Sequence, residues 1–488
     1  MSDDFDRRLA RRLRDYEGSI PDEGLDPWAS RPRTLGWWAG VATGATAVVT
    51  AGVLGFVLLA RPAGLPLGAS SATPFASASV GPLPSGTAGA TPTPSPSEPT
   101  ATPIEAPSAS PPPSGSPVGG LIWQEAAMFS DAEGPSMVTE VTSSGTGLVA
   151  VGVQYEHALP NVGPTPPHEG RIWFSPDGRS WEDVTPPDEF ANVQLHAVVS
   201  LRNGSVAAWG MTHEERDGFL EQTGTEAWES SDGRTWTPMA TNLPDGARVG
   251  GVAQGNRGYL THVATTGPDA GSELWFSTDA RSWEQVHSLP SDWVEYDAGE
   301  EGFVVAGVVL SGEGADTTYD PYALASGDGR EWLEATGPPP TTVGVAAVRG
   351  DWVAATYSFG GEQLPDLATS WFSANGLEWT EHGTAALNAW PIEGGSCHEY
   401  PSGLNPAGEW LVLASTLSYP CSEGGYVVFG TQRISTDGAT WEDLPLPAGT
   451  PGMTRSGSVV TSAATREGAL VLVGESSGRA AFWIGEAP

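Results

Sequence analysis

The sequence predicts an all-β protein, a seven-bladed β-propeller of four-stranded antiparallel blades, closed by N- and C-terminal strands in one blade and preceded by a single transmembrane helix and a disordered stalk. Three observations predict it. A seven-residue string ending in Trp recurs six times between residues 175 and 441, runs of β-type residues flank each copy, and the two ends of the region supply complementary parts of a seventh unit. The domain boundaries follow: a cytoplasmic tail over 1–36, a transmembrane helix over 37–60, a Pro/Ser/Thr-rich stalk over 61–120 and the propeller over 121–488.

The tail contains FDRRLARRLRDYEG, in which Phe5, Leu9 and Leu13 recur every four residues with Arg on the other side. Two readings stand, a surface helix against anionic lipid and a frayed, positively charged tail that sets topology. From Trp37 to Ala60 the chain runs for 24 residues without a charge. At about 1.5 Å per residue that length spans a hydrocarbon core of about 30 Å. Seven Arg precede the segment and only Arg61 follows closely, which places the N-terminus in the cytoplasm and everything after the helix outside it. A cleaved signal peptide has a shorter basic start and a shorter apolar run. Residues 62–120, as in TPTPSPSEPTATPIEAPSASPPPSGSP, hold too little apolar surface to fold and read as an extended stalk.

Charge falls on the far side of the membrane segment. The chain has 22 Arg, no Lys and 59 Asp+Glu, and its net charge of −37 belongs to the residues after 61. A surface this acidic excludes nucleic acid as a partner, because phosphate recognition needs a basic footprint.

The recurring strings are SPDGRSW at 175, SSDGRTW at 230, STDARSW at 277, SGDGREW at 326, SANGLEW at 373 and STDGATW at 435, with Trp-to-Trp spacings of 55, 47, 49, 47 and 62. Each sits between two β-type runs, as in RIWFS before and WEDV after, and Asp-Gly between such runs predicts a hairpin joining strands c and d. Upstream lies a continuous apolar run such as LVAVGV, FVVAGVVL or WLVLAS, which fits a strand b buried on both faces. A more polar segment before it, such as MVTEVTSS or VGVAAVRG, supplies strand a. After Trp441 strands a, b and c recur without a strand d, whereas LIWQEA at 121 resembles a strand d without a strand c. Pairing them closes the ring and protects its open edges.

These motifs resemble the Asp-box, or BNR, repeats of sialidase-like β-propellers, each copy one residue shorter than the usual box. Asn375 replaces one Asp and Ala280 one Gly, so the six copies are not expected to make identical turns. The recurring residues Asp177 and Trp181, Asp232 and Trp236, Asp279 and Trp283, Asp328 and Trp332, Asn375 and Trp379, Asp437 and Trp441 read as structural: the carboxylate accepts backbone amides in its turn while the Trp packs into its blade. In the resembled family the boxes lie on the face away from the active site.

Strand direction puts the d-to-a and b-to-c loops on the opposite face. The candidate ligand-binding residues are therefore Tyr155, His157, His213, Glu214, Arg216, Tyr296, Tyr319 and Tyr357, with His168 and Glu169 beside them. Cys397 begins strand a of blade six and Cys421 follows its strand b, so the pair is expected to form a disulfide outside the cytoplasm. Closing such a loop contributes about 3 kcal/mol. No His/Cys cluster has metal-ligand spacing, and neither metal nor cofactor is expected. For hydrolysis the resemblance implies an Arg clamp, a nucleophilic Tyr with a carboxylate partner and an acid/base Asp. Arg216, Arg248 and Arg455 are the arginines near that face, and Tyr296 lies beside Glu295 and Asp297, but no diagnostic motif marks a catalytic set. The expected function is a membrane-anchored, non-catalytic binding or scaffolding module for an extracellular glycan or protein, with an exo-sialidase-like glycosidase as the alternative.

Overall fold

A computed structural model describes residues 121–487 except 130–133, 157–167, 188, 217–218, 266–270, 292–293, 312–317, 341, 359–366, 387–388, 393–394, 418–427, 430 and 447–457. The expected tail, transmembrane helix and stalk lie outside the described residues. Among those described, no helix is long and apolar enough to cross a membrane.

Six sheets have the four-strand order the repeats predict, whereas blade 6 differs by two further short strands, Ala389–Ile392 paired with the start of its innermost strand and Val428–Phe429 paired with the end of its strand b. Blade 1 comprises Ser136–Ser143, Leu148–Tyr155, His168–Ser175 and Glu182–Asp183, paired antiparallel in that order. The innermost strands of blades 2 to 7 are Val193–Ser200, Arg248–Gly255, Val294–Ala298, Thr342–Val348, Gly395–Ala407 and Ser458–Arg466. Each contacts the next, and the seventh contacts the first, which closes the circle around a central channel. Strand b, Leu148–Tyr155 in blade 1 and Ala469–Ser476 in blade 7, is buried along its whole length because a neighbouring sheet covers each face.

Closure occurs where the chain ends predict it. Ile122–Phe129 pairs with Arg479–Glu486 as the outermost strand of blade 7, with Trp123 opposite Gly485 and Ala127 opposite Phe482. The apolar seams lie between blades. Val149, Val151, Ile172 and Phe174 of blade 1 pack on Val193, Leu195, Val206 and Trp228 of blade 2.

The outermost strands differ from the expectation of a full run after each motif. In blades 1, 2, 4 and 6 they shrink to two residues, Glu182–Asp183, Thr237–Pro238, Leu333–Glu334 and Glu442–Asp443, whereas Trp283–Leu289 and Thr380–Ala386 run for seven. Proline explains it. Pro238 lies within its short strand and Pro186, Pro338 and Pro445 follow theirs within a few residues, each removing a ladder donor, while the two long strands contain none.

A feature the sequence did not announce lies in the innermost strands. Six of the seven carry a register shift, at Thr139, His196, Gly250 and Gly251, Val343, Ser402 and Thr461; blade 4 has none. Bulged side chains tie blade to blade. Thr461 donates to the Val138 carbonyl (2.7 Å), Thr139 to the Leu195 carbonyl (3.0 Å), and His196 Nε2 lies 3.1 Å from the Gly250 carbonyl.

Candidate functional site

The six motif turns share one face of the ring. In each, the acidic or amide side chain accepts two successive amides: Asp177 Oδ1 takes those of Arg179 (2.8 Å) and Ser180 (3.0 Å), and Asn375 Oδ1 takes those of Leu377 (2.8 Å) and Glu378 (3.1 Å). The opening Ser closes the turn, as when Ser175 Oγ accepts the Gly178 amide at 2.8 Å. Indole nitrogens of Trp181, Trp283, Trp379 and Trp441 donate to the carbonyl three residues back. These bonds engage Oδ1 of each aspartate, and the backbone amides hold the Asp232 carboxyl down at about 2.

The expectation that the substituted copies would turn differently is overturned. Asn375 offers the same Oδ1 acceptor as Asp, and Ala280 takes the left-handed conformation (φ 60°) that Gly takes elsewhere. The preceding blade makes room. A Cβ at Gly233 would come within 2.7 Å of the Phe174 ring and one at Gly329 within 2.3 Å of the Phe276 ring, but the corresponding residue before Ala280 is Glu229. The motif arginines, which had no role on sequence grounds, staple neighbouring blades. Arg179 pairs with Glu486, Arg234 with Glu182, Arg281 with Glu229 and Arg330 with Glu284, while Arg234 and Arg330 also lie over the Phe174 and Phe276 rings at 4.1 and 4.5 Å.

On the opposite face the structure gathers some of the candidate residues and leaves others apart. Tyr155 ends strand b of blade 1 and His168 begins strand c, opposite each other in the sheet with ring centroids 5.9 Å apart. His213 reaches from Val206–Arg216 in blade 2 to meet the His168 ring edge-on at 4.8 Å, and its Nδ1 lies 3.3 Å from the Asn192 carbonyl. Burial lowers the pKa of His213, and the Arg248 charge adds to the effect. Glu214 is exposed on the same hairpin, opposite Glu221. Tyr319 is exposed on the blade 4 hairpin opposite Leu310, and Tyr357 packs at the seam of blades 5 and 6. His157, Arg455, Cys421 and the side chains of Arg216 and Cys397 lie outside the described residues, so the expected disulfide does too.

Tyr296 belongs elsewhere than the loop face. It sits in the innermost strand of blade 4, the one strand a without a bulge, and donates its hydroxyl to the Gly251 carbonyl of blade 3. Around it the channel is acidic. Glu140 of blade 1 accepts the Val198 amide of blade 2 (2.8 Å), and Asp297 accepts the Ala347 amide of blade 5 (2.8 Å). Burial pushes Glu140 and Glu295 up to about 8 and Asp297 up to about 6, and it raises the Tyr296 phenol as well. All four side chains are half-buried, with protein enclosing them on most sides. Asp297 adds to the rise at Glu140, and because blades 1 and 4 are not neighbours that influence crosses the channel. The one signal that would have found Glu140 is its place in MVTEVTSS, an acid in a strand destined for the channel wall.

At the motif-bearing end the channel widens into a cavity of about 430 Å³ between the a-to-b turns of blades 3 to 6. Asn256, Glu300 and Arg349 are among its polar walls, with Arg349 bound to Glu409 at 3.0 Å. Among the described residues no group of three or more His, Cys, Asp or Glu side chains is placed to hold a metal ion.

No family model matches the chain, and no curated protein matches it. Among solved structures it is similar to a Trypanosoma rangeli sialidase in complex with sialic acid, at 11% identity over 71% of this chain and 53% of that one (TM-score 0.33). The chain thus spans about half the length of that sialidase. It is also similar to a polysaccharide lyase of family PL25, an ulvan lyase, at 14% identity over 64% and 81% (TM-score 0.36), and to BBS1N in complex with ARL6DN, at 12% over 75% and 97% (TM-score 0.38).

Proposed function

We propose that the chain is a membrane-anchored, extracytoplasmic propeller that binds a glycan or protein of the cell envelope or its surroundings without transforming it. The apolar segment at 37–60 with its preceding arginines supports the anchor, and the acidic ring supports an aqueous rather than a nucleic-acid setting. One observation carries the non-catalytic reading. Tyr296, the phenol best placed by sequence to act as a nucleophile, is bonded to the Gly251 carbonyl and made harder to ionise by burial. The binding surface is the loop face on which Tyr155, His168 and His213 meet. The experiment is a glycan array and an envelope-protein pull-down with the full chain in detergent, repeated with His213→Ala. Saturable binding weakened by the substitution is expected; saturable binding to neither array nor envelope protein rejects the reading.

A second reading, glycoside hydrolysis, has one observation in its favour: Tyr296 shares the channel with carboxyls held protonated, as a general acid must be. Turnover of a fluorogenic sialoside, lost in Tyr296→Phe, would establish it in place of the first. Gel mobility with and without reductant tests the Cys397–Cys421 bridge.

A further inference from the structure

We propose that the central channel is a proton-dependent clamp: Glu140 and Asp297 each bind their blade to the next, and the ring is tightest when the channel carboxyls carry protons and loosens when they ionise together. The geometry supplies the two halves of the device. Glu140 spans the seam of blades 1 and 2 through Val198, and Asp297 spans the seam of blades 4 and 5 through Ala347. A neutral carboxyl keeps such a bond through its carbonyl oxygen, so protonation does not release the seam. Ionisation strengthens the individual bond but places several negative charges together on the wall of one channel.

The remaining charged groups on the innermost strands decide the balance. Blade 2 contributes His196, which is buried and 3.1 Å from a carbonyl; blade 3 contributes Arg248, whose charge acts on His213 at the loop face. Blade 4 contributes Glu295 and Tyr296 as well as Asp297. Blade 5 contributes no charge in Thr342–Val348. In blade 6 Glu399 is spent on a two-pronged bond with Arg433 (3.1 Å each), and in blade 7 Arg466 bonds the Ser144 carbonyl at the motif-bearing end (3.0 Å). Blade 6 also carries His398, whose side chain lies outside the described residues; among the described residues no cation is bonded to Glu140, Glu295 or Asp297, and burial outweighs the backbone bonds in setting their protonation.

The sign follows from proton counting. The folded ring holds protons that the unfolded chain has released above 4.5 for Glu and 3.8 for Asp. The stabilisation is complete below those values and is lost as pH rises through about 6 for Asp297 and about 8 for Glu140 and Glu295. Buried His196 and His213 act in the opposite sense, being lowered from 6.5, so the test compares profiles rather than a single curve. The full chain and its Glu140→Gln, Glu295→Gln, Asp297→Asn variant are melted at about pH 4 and about pH 8. Equal midpoints in acid and a wild type several degrees lower at the alkaline end are expected; parallel profiles overturn the clamp. Glu295→Gln alone serves if the triple variant does not fold, since Glu295 makes no described hydrogen bond, and half-profiles of the same shape are then expected. An infrared protonated-carboxyl band near neutrality, lost in the variant, is the independent readout; its absence from the wild type overturns the proposal. None of these results depends on what the loop face binds.

Discussion

A single methyl group shows how tightly the repeats are fitted to one another. Ala280 holds a left-handed backbone at φ 60°, tolerated because Glu229 rather than an aromatic ring stands before it. Replacing it with Gly removes a conformational cost of about 1 kcal/mol, and denaturant unfolding of Ala280→Gly is expected to show most of that gain. The opposite change at Gly329 drives a Cβ into the Phe276 ring, and Gly329→Ala is expected to lose about 2 kcal/mol or more. The motif carboxylates set the acid limit of the fold. All five aspartates are depressed, so their contribution is present above 3.8 and is lost as pH falls, the loss at Asp232 running to about 2. Acid titration of Asp232→Asn, which keeps Oδ1, is expected to shift less than the wild type in that window. The sequence disclosed the work of these carboxylates because their partners lie two and three residues away. It hid the work of Arg234 and Arg330, whose partners belong to the blade before.

Strands divide the same way between what local chemistry reveals and what it conceals. Strand b was legible because a doubly covered strand must be apolar throughout, and strand d betrayed its position by the Trp but not its length, which the following prolines cut short. The bulges of strand a were not legible: Thr139, His196, Val343 and Ser402 have no side-chain chemistry in common. Blade 6 was the least readable, since its middle strand is interrupted and the short segment Arg433–Ser435 is held by a buried ion pair. Breaking one side of that pair leaves a carboxylate buried and unmatched. Arg433→Met is expected to cost about 3 to 5 kcal/mol in chemical denaturation, whereas Arg330→Ala on the half-exposed rim is expected to cost no more than about 1 kcal/mol.

At the scale of the whole ring, stability depends on every seam closing at once. Deleting Ile122–Phe129 bares the edge of Arg479–Glu486 and uncovers Phe482, which stacks on Trp181 at 4.2 Å. The truncated chain is expected to melt earlier and to self-associate, read by light scattering against concentration. The blade count and the orientation of both faces could be read before any coordinates, because the repeat period and the two incomplete ends determine them. The candidate site could be read only in part. Tyr155 and His213 converge through His168, which the loop order suggests, but the channel acids emerge only when blades 1 and 4 are brought face to face across the ring.

Ile122 and Glu486 stand directly opposite each other at one end of their two strands. In a ring freed of residues 1–121, a short turn between them would make the polypeptide circular without disturbing a seam. No blade then has a claim to be first, and new termini opened at any of the exposed a-to-b turns should leave a protein with the same seven sheets in the same order.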